Sequence, residues 1–148
     1  MRLFLDSSYI IYLRYAADDQ VADYATSLLR QMTTKNVELV TNMVVIDEVL
    51  WILSKKYRVP LGEAFELVDR LLPLVDVIPL DSIDYSWMKQ TMLKYEMKPS
   101  DALHIASMYR AKARFIASED RDFDKVPRLR RVWLDTGNRF DDGQNLSN

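Results

Sequence analysis

The stretch from Lys98 to Phe123, KPSDALHIASMYRAKARFIASEDRDF, constrains the fold more than any other part of the chain. It opens as a helix start, with Pro99, then Ser100 as N-cap, then Asp101 in the first turn. Ala102, Leu103, Ile105, Ala106 and Met108 follow, so most of this helix can be buried. Arg110, Lys112 and Arg114 gather near its C-terminal end, where the helix dipole favours cations. Phe115-Ile116-Ala117 then reads as a buried strand that runs into Ser118-Glu119-Asp120-Arg121-Asp122-Phe123. In an open parallel sheet, a helix returns the chain before the next strand begins. The start of such a helix and the end of the following strand therefore share the carboxyl edge of the sheet, where ligands bind. Asp101 and Asp120, 19 positions apart, can meet there.

The rest of the chain repeats this alternation. Arg2-Leu3-Phe4-Leu5 predicts a central strand ending at Asp6, followed by a helix through Ile10, Ile11 and Leu13. Asp18 to Met32 reads as a helix with Val21, Tyr24, Ala25, Leu28 and Leu29 on one face. Val37 to Thr41 predicts a second strand, and Met43 to Tyr57 a helix in which Asp47 and Glu48 interrupt an apolar background. Pro60 opens another amphipathic helix, disturbed at its end by Pro73, and Val75 to Leu80 reads as a third strand. Ser82 to Tyr95 predicts a helix packing through Ile83, Trp87, Met88, Thr91, Met92 and Tyr95. Arg131-Val132-Trp133-Leu134 is the final strand, placed at an edge. Strands alternating with helices imply an α/β fold with a mostly parallel sheet of four or five strands and helices on both faces. Residues 1–135 are read as one domain, and 136–148, polar and aperiodic, as a mobile tail.

Composition narrows the chemistry. With no Cys among 148 residues, disulfides, thiolate metal sites and cysteine nucleophiles are excluded. No apolar run is long enough to span a membrane, and the N-terminus does not read as a signal peptide, so a cytoplasmic location is the default. A net charge of −2 gives no whole-protein attraction to nucleic acid, so binding a polyanion would require a local basic patch or bound cations.

Four acids fall where one cleft could collect them: Asp6 after the first strand, Glu48 in the helix after the second, Asp101 opening the central helix and Asp120 after the fourth strand. Each has a plainer reading. Asp6 could merely cap its helix, and Glu48 could sit on a solvated face. Two carboxylates about 4 Å apart repel by about 4 kcal/mol at an effective dielectric of 20, so a cluster must be neutralised by lysine or arginine, by protonation or by a cation. Oxygen ligands without Cys or clustered His favour Mg2+ or Mn2+ over zinc. His104, three residues after Asp101 on nearly the same helix face, is read as a packing or hydrogen-bonding residue.

The segments FLDSS, TNMVVIDEVL, PSDALHIASMYR and FIASEDRDF, in this order from Leu3 to Phe123, make the sequence resemble the PIN-domain ribonucleases, especially the small VapC-type toxins of toxin–antitoxin pairs. The resemblance implies a PIN-like three-layer sandwich. It also implies an acidic, metal-binding site of Asp6, Glu48, Asp101 and Asp120, with Asp122 as a fifth member. Ser118 would position a carboxylate or a water, and Ser7 would act similarly beside Asp6. The implied activity is Mg2+- or Mn2+-dependent hydrolysis of RNA phosphodiesters by the toxin of a type II toxin–antitoxin system. An antitoxin partner and a homodimer are implied with it, Tyr9, Tyr12 and Tyr15 being candidates for the dimer surface. Arg14, Lys55, Lys56, Lys98 and Arg121 are candidate backbone contacts beside the plainer reading of solubilising charges, and Tyr9, Tyr12 and Trp51, candidate stacking residues, are read as core or interface residues. Two alternatives remain: a PIN nuclease of RNA processing or decay, and a catalytically silent RNA-binding PIN module. A phosphotransfer domain on a similar sheet would need a nucleophilic Asp in a close acidic motif, which Asp6-Ser7-Ser8 does not supply.

Overall fold

A computed structural model describes residues 1–136. The tetrapeptide Arg2–Leu5 forms β1, whose apolar Leu3, Phe4 and Leu5 are fully buried. Helices α1 (Ser7–Tyr15) and α2 (Asp19–Thr34) lead to β2 (Glu38–Thr41), and α3 (Met43–Trp51) and α4 (Leu61–Leu71) to β3 (Asp76–Val77). Then come α5 (Ser82–Tyr95), α6 (Pro99–Arg110), β4 (Phe115–Ala117) and β5 (Arg130–Val132). All pairings are parallel, in the order β3-β2-β1-β4-β5. The chain first builds outward from β1 through β2 to β3, then crosses back to add β4 on the other side. With right-handed crossovers, α1–α4 cover one face of the sheet and α5–α6 the other. This is the expected three-layer α/β sandwich. The reversal of strand order falls between β1 and β4, so the crevice for a ligand opens at their carboxyl ends.

Several elements differ from expectation in instructive ways. The helix start at 98–101 has Lys98 as its N-cap and Pro99 at the first helical position, where a fixed φ and a missing N–H suit the first turn; Ser100 lies inside the helix. The third strand is only Asp76–Val77, at an edge of the sheet. Ile78 still donates to the Thr41 carbonyl at 2.8 Å, and Pro79, with no N–H, ends the ladder. The helix from Met43 reaches Lys56, but its last turn, Ile52–Lys56, is π-helical. On α5 only Asp84 and Thr91 are buried; Ile83 and Trp87, expected in the core, are exposed. This helix packs on α6 rather than on the sheet, so it has a narrow contact face, and Asp84 is buried because Arg110 pairs with it at 2.8 Å. Thr136 closes a short 3-10 turn (Leu134–Thr136); the remainder of the tail expected at 136–148 lies outside the described residues.

Candidate active site

Each acid arrives at the carboxyl edge by a different route. Asp6 directly follows β1, and its N–H donates to the Ala117 carbonyl at 3.2 Å, which ties the end of β1 to the end of β4. It occupies the N-cap position of α1 but makes no side-chain cap hydrogen bond, so capping is not its role. Its Oδ2 accepts instead from Ser118 Oγ at 2.6 Å and Ser8 Oγ at 2.9 Å. Ser8, rather than Ser7, is the serine that holds Asp6. Ser118, buried at the end of β4, also accepts from the Asp120 N–H at 3.0 Å, so one hydroxyl links two of the acids. Asp120 then accepts the Asp122 N–H at 2.9 Å, starting the 3-10 turn Arg121–Lys125, and Lys125 Nζ lies 2.9 Å from Asp122.

Of the two acids in α3, Asp47 is exposed and Glu48 is turned inward. Partial burial works against ionisation of Glu48, but the hydrogen bond from His104, helped by the Ser100 and Ser7 hydroxyls, outweighs it and holds its carboxyl below the ordinary value. His104 is fully buried, with Nε2 3.2 Å from Glu48 Oε2 and Nδ1 3.3 Å from Asn42 Nδ2. The tautomer follows from a helix cap. Asn42 is the N-cap of α3, and its Oδ1 accepts the Val45 N–H at 3.0 Å. Its Nδ2 must therefore face His104 and Ser107 as a donor, Nδ1 accepts, and the ring proton sits on Nε2, aimed at Glu48. With both nitrogens engaged, His104 orients Glu48, as the hydrogen-bonding reading expected. Asn42 carried a signal missed in the sequence, since an Asn preceding a helix reads only as a cap.

Replacing Asn42 by Ser tests this chain of contacts: a cap survives, but the donor to Nδ1 is lost. The Asn42→Ser protein is expected to stay within about 1 kcal/mol of wild type in stability and to lose about tenfold in metal affinity or cleavage, as is usual when a ligand's supporting partner is removed. Denaturant melts beside metal titrations would check it; wild-type metal affinity would refute the relay.

Asp101 lies in the first turn of α6, and its Oδ2 is buried with no hydrogen-bond partner among the described residues. Burial pushes its carboxyl up to about 6, with the charges of Asp120 and Asp6 pushing the same way and that of Lys98 opposing. The site thus contains two adjoining groups: ligand atoms of Asp6, Glu48 and His104 within 4.8 Å of one another, and of Asp101, Asp120 and Asp122 likewise. All five expected acids are brought to one edge. An orphaned buried carboxylate oxygen among several other oxygen donors fits a hard cation, which would satisfy that oxygen and relieve the repulsion.

The surrounding candidates divide. Arg14 and Arg121 already pair, with Glu66 at 3.5 Å and Asp135 at 3.0 Å. Lys55, Lys56 and Lys98 are exposed. Tyr9 is buried and donates to the Ala25 carbonyl, which removes it from both stacking and dimer contacts; Tyr12 donates to Glu119, and Trp51 is exposed.

A family model for the PIN domain matches residues 3–129. Ribonuclease VapC13 of Mycobacterium tuberculosis is 30% identical over 133 residues, covering 88% of this chain and 98% of that protein. Among solved structures, the sarcin–ricin-loop-cleaving toxin VapC20 of Mycobacterium tuberculosis superposes with a TM-score of 0.69 at 19% identity, covering 84% of this chain and 95% of that one. VapBC2 from Rickettsia felis, solved bound to a DNA fragment of its promoter, gives 0.68 at 16% identity, over 90% and 99% of the two chains. These last two similarities are similarities of fold.

Proposed function

Because the chain belongs to the PIN-domain family, we propose that it is a metal-dependent endoribonuclease and the toxin of a type II toxin–antitoxin pair. The observation that carries this reading is the meeting of Asp6, Glu48, Asp101 and Asp120 from four separate segments at the crevice between β1 and β4, with an oxygen of Asp101 left buried and unpartnered. Retention of all four acids favours catalysis over a silent RNA-binding module. The residue roles follow from the contacts. Asp6, Glu48, Asp101 and Asp120, with Asp122 beside them, would hold Mg2+ or Mn2+. Such a cation supplies Lewis-acid charge for a phosphodiester and makes water a nucleophile at neutral pH. Ser118 and Ser8 keep Asp6 in place, His104 keeps Glu48 in place, and Lys125 balances Asp122.

Partners follow the same reading. A cognate antitoxin would cover exposed apolar area on the α3–α4 side, where Trp51, Leu61 and Phe65 are 61%, 55% and 48% exposed. A homodimer and a cytoplasmic location complete the proposal; no helix of the described residues is long and apolar enough to cross a membrane. The test is controlled expression of wild type beside Asp6→Ala, followed by sequencing of RNA 5′ ends. Discrete new ends that accumulate only with wild type are expected. Identical end profiles in the two cultures would refute the nuclease.

A further inference from the structure

The face of α6 away from the acids carries a feature that the chemistry of cleavage does not use. At the amino edge of the sheet, a cleft of about 860 Å³ is lined by Lys112, Arg114, Arg128 and Arg130, with Tyr109 and Phe115 among its walls. The four cations are exposed, and among the described residues none has a carboxylate partner, whereas Arg2, Arg14, Arg110, Arg121 and Arg131 each do. Their proximity is built into the sheet. The Arg130 N–H donates to the Arg114 carbonyl at 2.8 Å, which holds the two arginines side by side where β4 and β5 begin.

The cleft continues along α6. A second depression, of about 640 Å³, shares Tyr109 and Arg128 with the first and runs between α5 and α6 past Trp87 to Lys94 and Tyr95. Trp87 is half exposed, and its ring lies 5.4 Å from that of Tyr109. Lys94 and Tyr95 stand where α5 gives way to α6, at the edge of the sheet that holds Asp101. A strip of cations interleaved with aromatic rings therefore runs beside α6 from the end of α5 to the amino edge of the sheet, a path of about 17 Å at 1.5 Å of rise per helical residue.

We propose that this strip along α6 is a second RNA-contact surface, which grips the phosphate backbone of a folded RNA at a distance from the bond being cut. It rests on the reading of the protein as a ribonuclease and gives a chain of net charge −2 a local basic patch for a polyanion. Charges repeated along a groove suit a backbone of regularly spaced phosphates, and exposed rings beside them suit bases. An acidic peptide is the competing occupant; the aromatic rings interleaved with the cations favour RNA, whose bases can stack on them.

The test compares wild type, Arg114→Ala/Arg128→Ala/Arg130→Ala and the matching triple Arg→Lys protein. Binding is measured by fluorescence anisotropy on a refolded mixture of bulk tRNA and rRNA, in an Asp101→Asn background so that the RNA stays whole. The alanine triple is expected to bind at least about tenfold more weakly and to lose about two to three from the slope of log affinity against log salt. The lysine triple should restore most of both. In the active protein, the alanine triple should raise KM with kcat unchanged. Unaltered affinity and salt slope, or a fall in kcat alone, would overturn the strip while leaving the nuclease standing. Unaltered RNA binding with loss of an acidic protein partner would also overturn it. A wild type that neither binds nor cuts RNA would instead refute the function on which it rests.

Discussion

Asp101→Asn is expected to abolish cleavage and, without metal, to unfold at a higher temperature than wild type at pH 8. Both effects come from one buried carboxylate. Loss of a residue that merely supports a metal ligand costs about 10–100-fold, so loss of a ligand should cost at least as much. The stability effect has the opposite sign because the carboxyl is held in an environment unfavourable to its charge. Its folded value of about 6 lies above the ordinary 3.8, so the folded state binds the proton more tightly than the unfolded state does. The resulting stabilisation is full below about pH 4 and lost as pH rises through about 6, a change on the order of 3 kcal/mol. Asn removes the charge but leaves a buried amide imperfectly satisfied, which takes back about 1 kcal/mol. A net gain of about 2 kcal/mol at pH 8, or about 4–8 °C, is expected. Millimolar Mn2+ should raise the melting temperature of wild type by mass action and that of the variant much less. Melting curves at pH 5 and pH 8, with and without Mn2+, separate these effects. A variant that cuts RNA like wild type, or melts below it at pH 8 without metal, would remove Asp101 from the site.

Arg131→Met should destabilise the fold by about 3 kcal/mol, or about 6–12 °C, and weaken metal binding about tenfold. The Arg131 side chain is 1% exposed and clamps two acids, with Nε and Nη2 on Asp124 at 3.1 and 2.9 Å and Nη1 and Nη2 on Asp135 at 2.9 and 3.0 Å. Burial works against its charge, and Asp135 and Asp124 more than compensate. Nη1 also donates to the Ser118 carbonyl at 3.3 Å. The guanidinium therefore joins the end of β4 to the 3-10 turn that follows Asp120 and carries Asp122. Removing it leaves Asp124 and Asp135 facing each other across an apolar gap, although their partial exposure lets water return and keeps the loss near the lower end of the 3–5 kcal/mol typical of a broken buried pair. Arg131→Lys should not rescue it, because an ammonium cannot fork to two carboxylates and a carbonyl. Urea melts beside Mn2+ titrations would check both effects, and unchanged stability in Arg131→Met would show the clamp to be dispensable.

Arg131 also shows where the sequence stops being legible. In RRVWL it reads as one polar position in an edge strand, and nothing local marks it as the anchor of the acidic turn. Glu48 was visible because an acid amid Val, Ile and Leu stands out; that it turns inward while Asp47 faces water depended on where α3 meets α6. An Asn just before a helix, as at position 42, signals no more than a cap. Its second role, fixing the His104 proton, requires Ser107 and His104, more than 60 positions away. The face of α5 departs from its pattern for a similar reason: Ile83 and Trp87 read as packing positions, but the helix rests on α6 and leaves them exposed.

The sequence by itself determined the alternation of strands and helices, the parallel sheet and three of the four acids at element ends, because periodicity and chain-breaking residues act over a few neighbours. Only the tertiary structure decided which serine holds Asp6, which tautomer His104 adopts and, among the described residues, that an oxygen of Asp101 is stranded without a partner and that cations without a carboxylate partner line the cleft at the end of α6. Those are contacts between segments far apart in the chain, set by packing distances that no local pattern encodes.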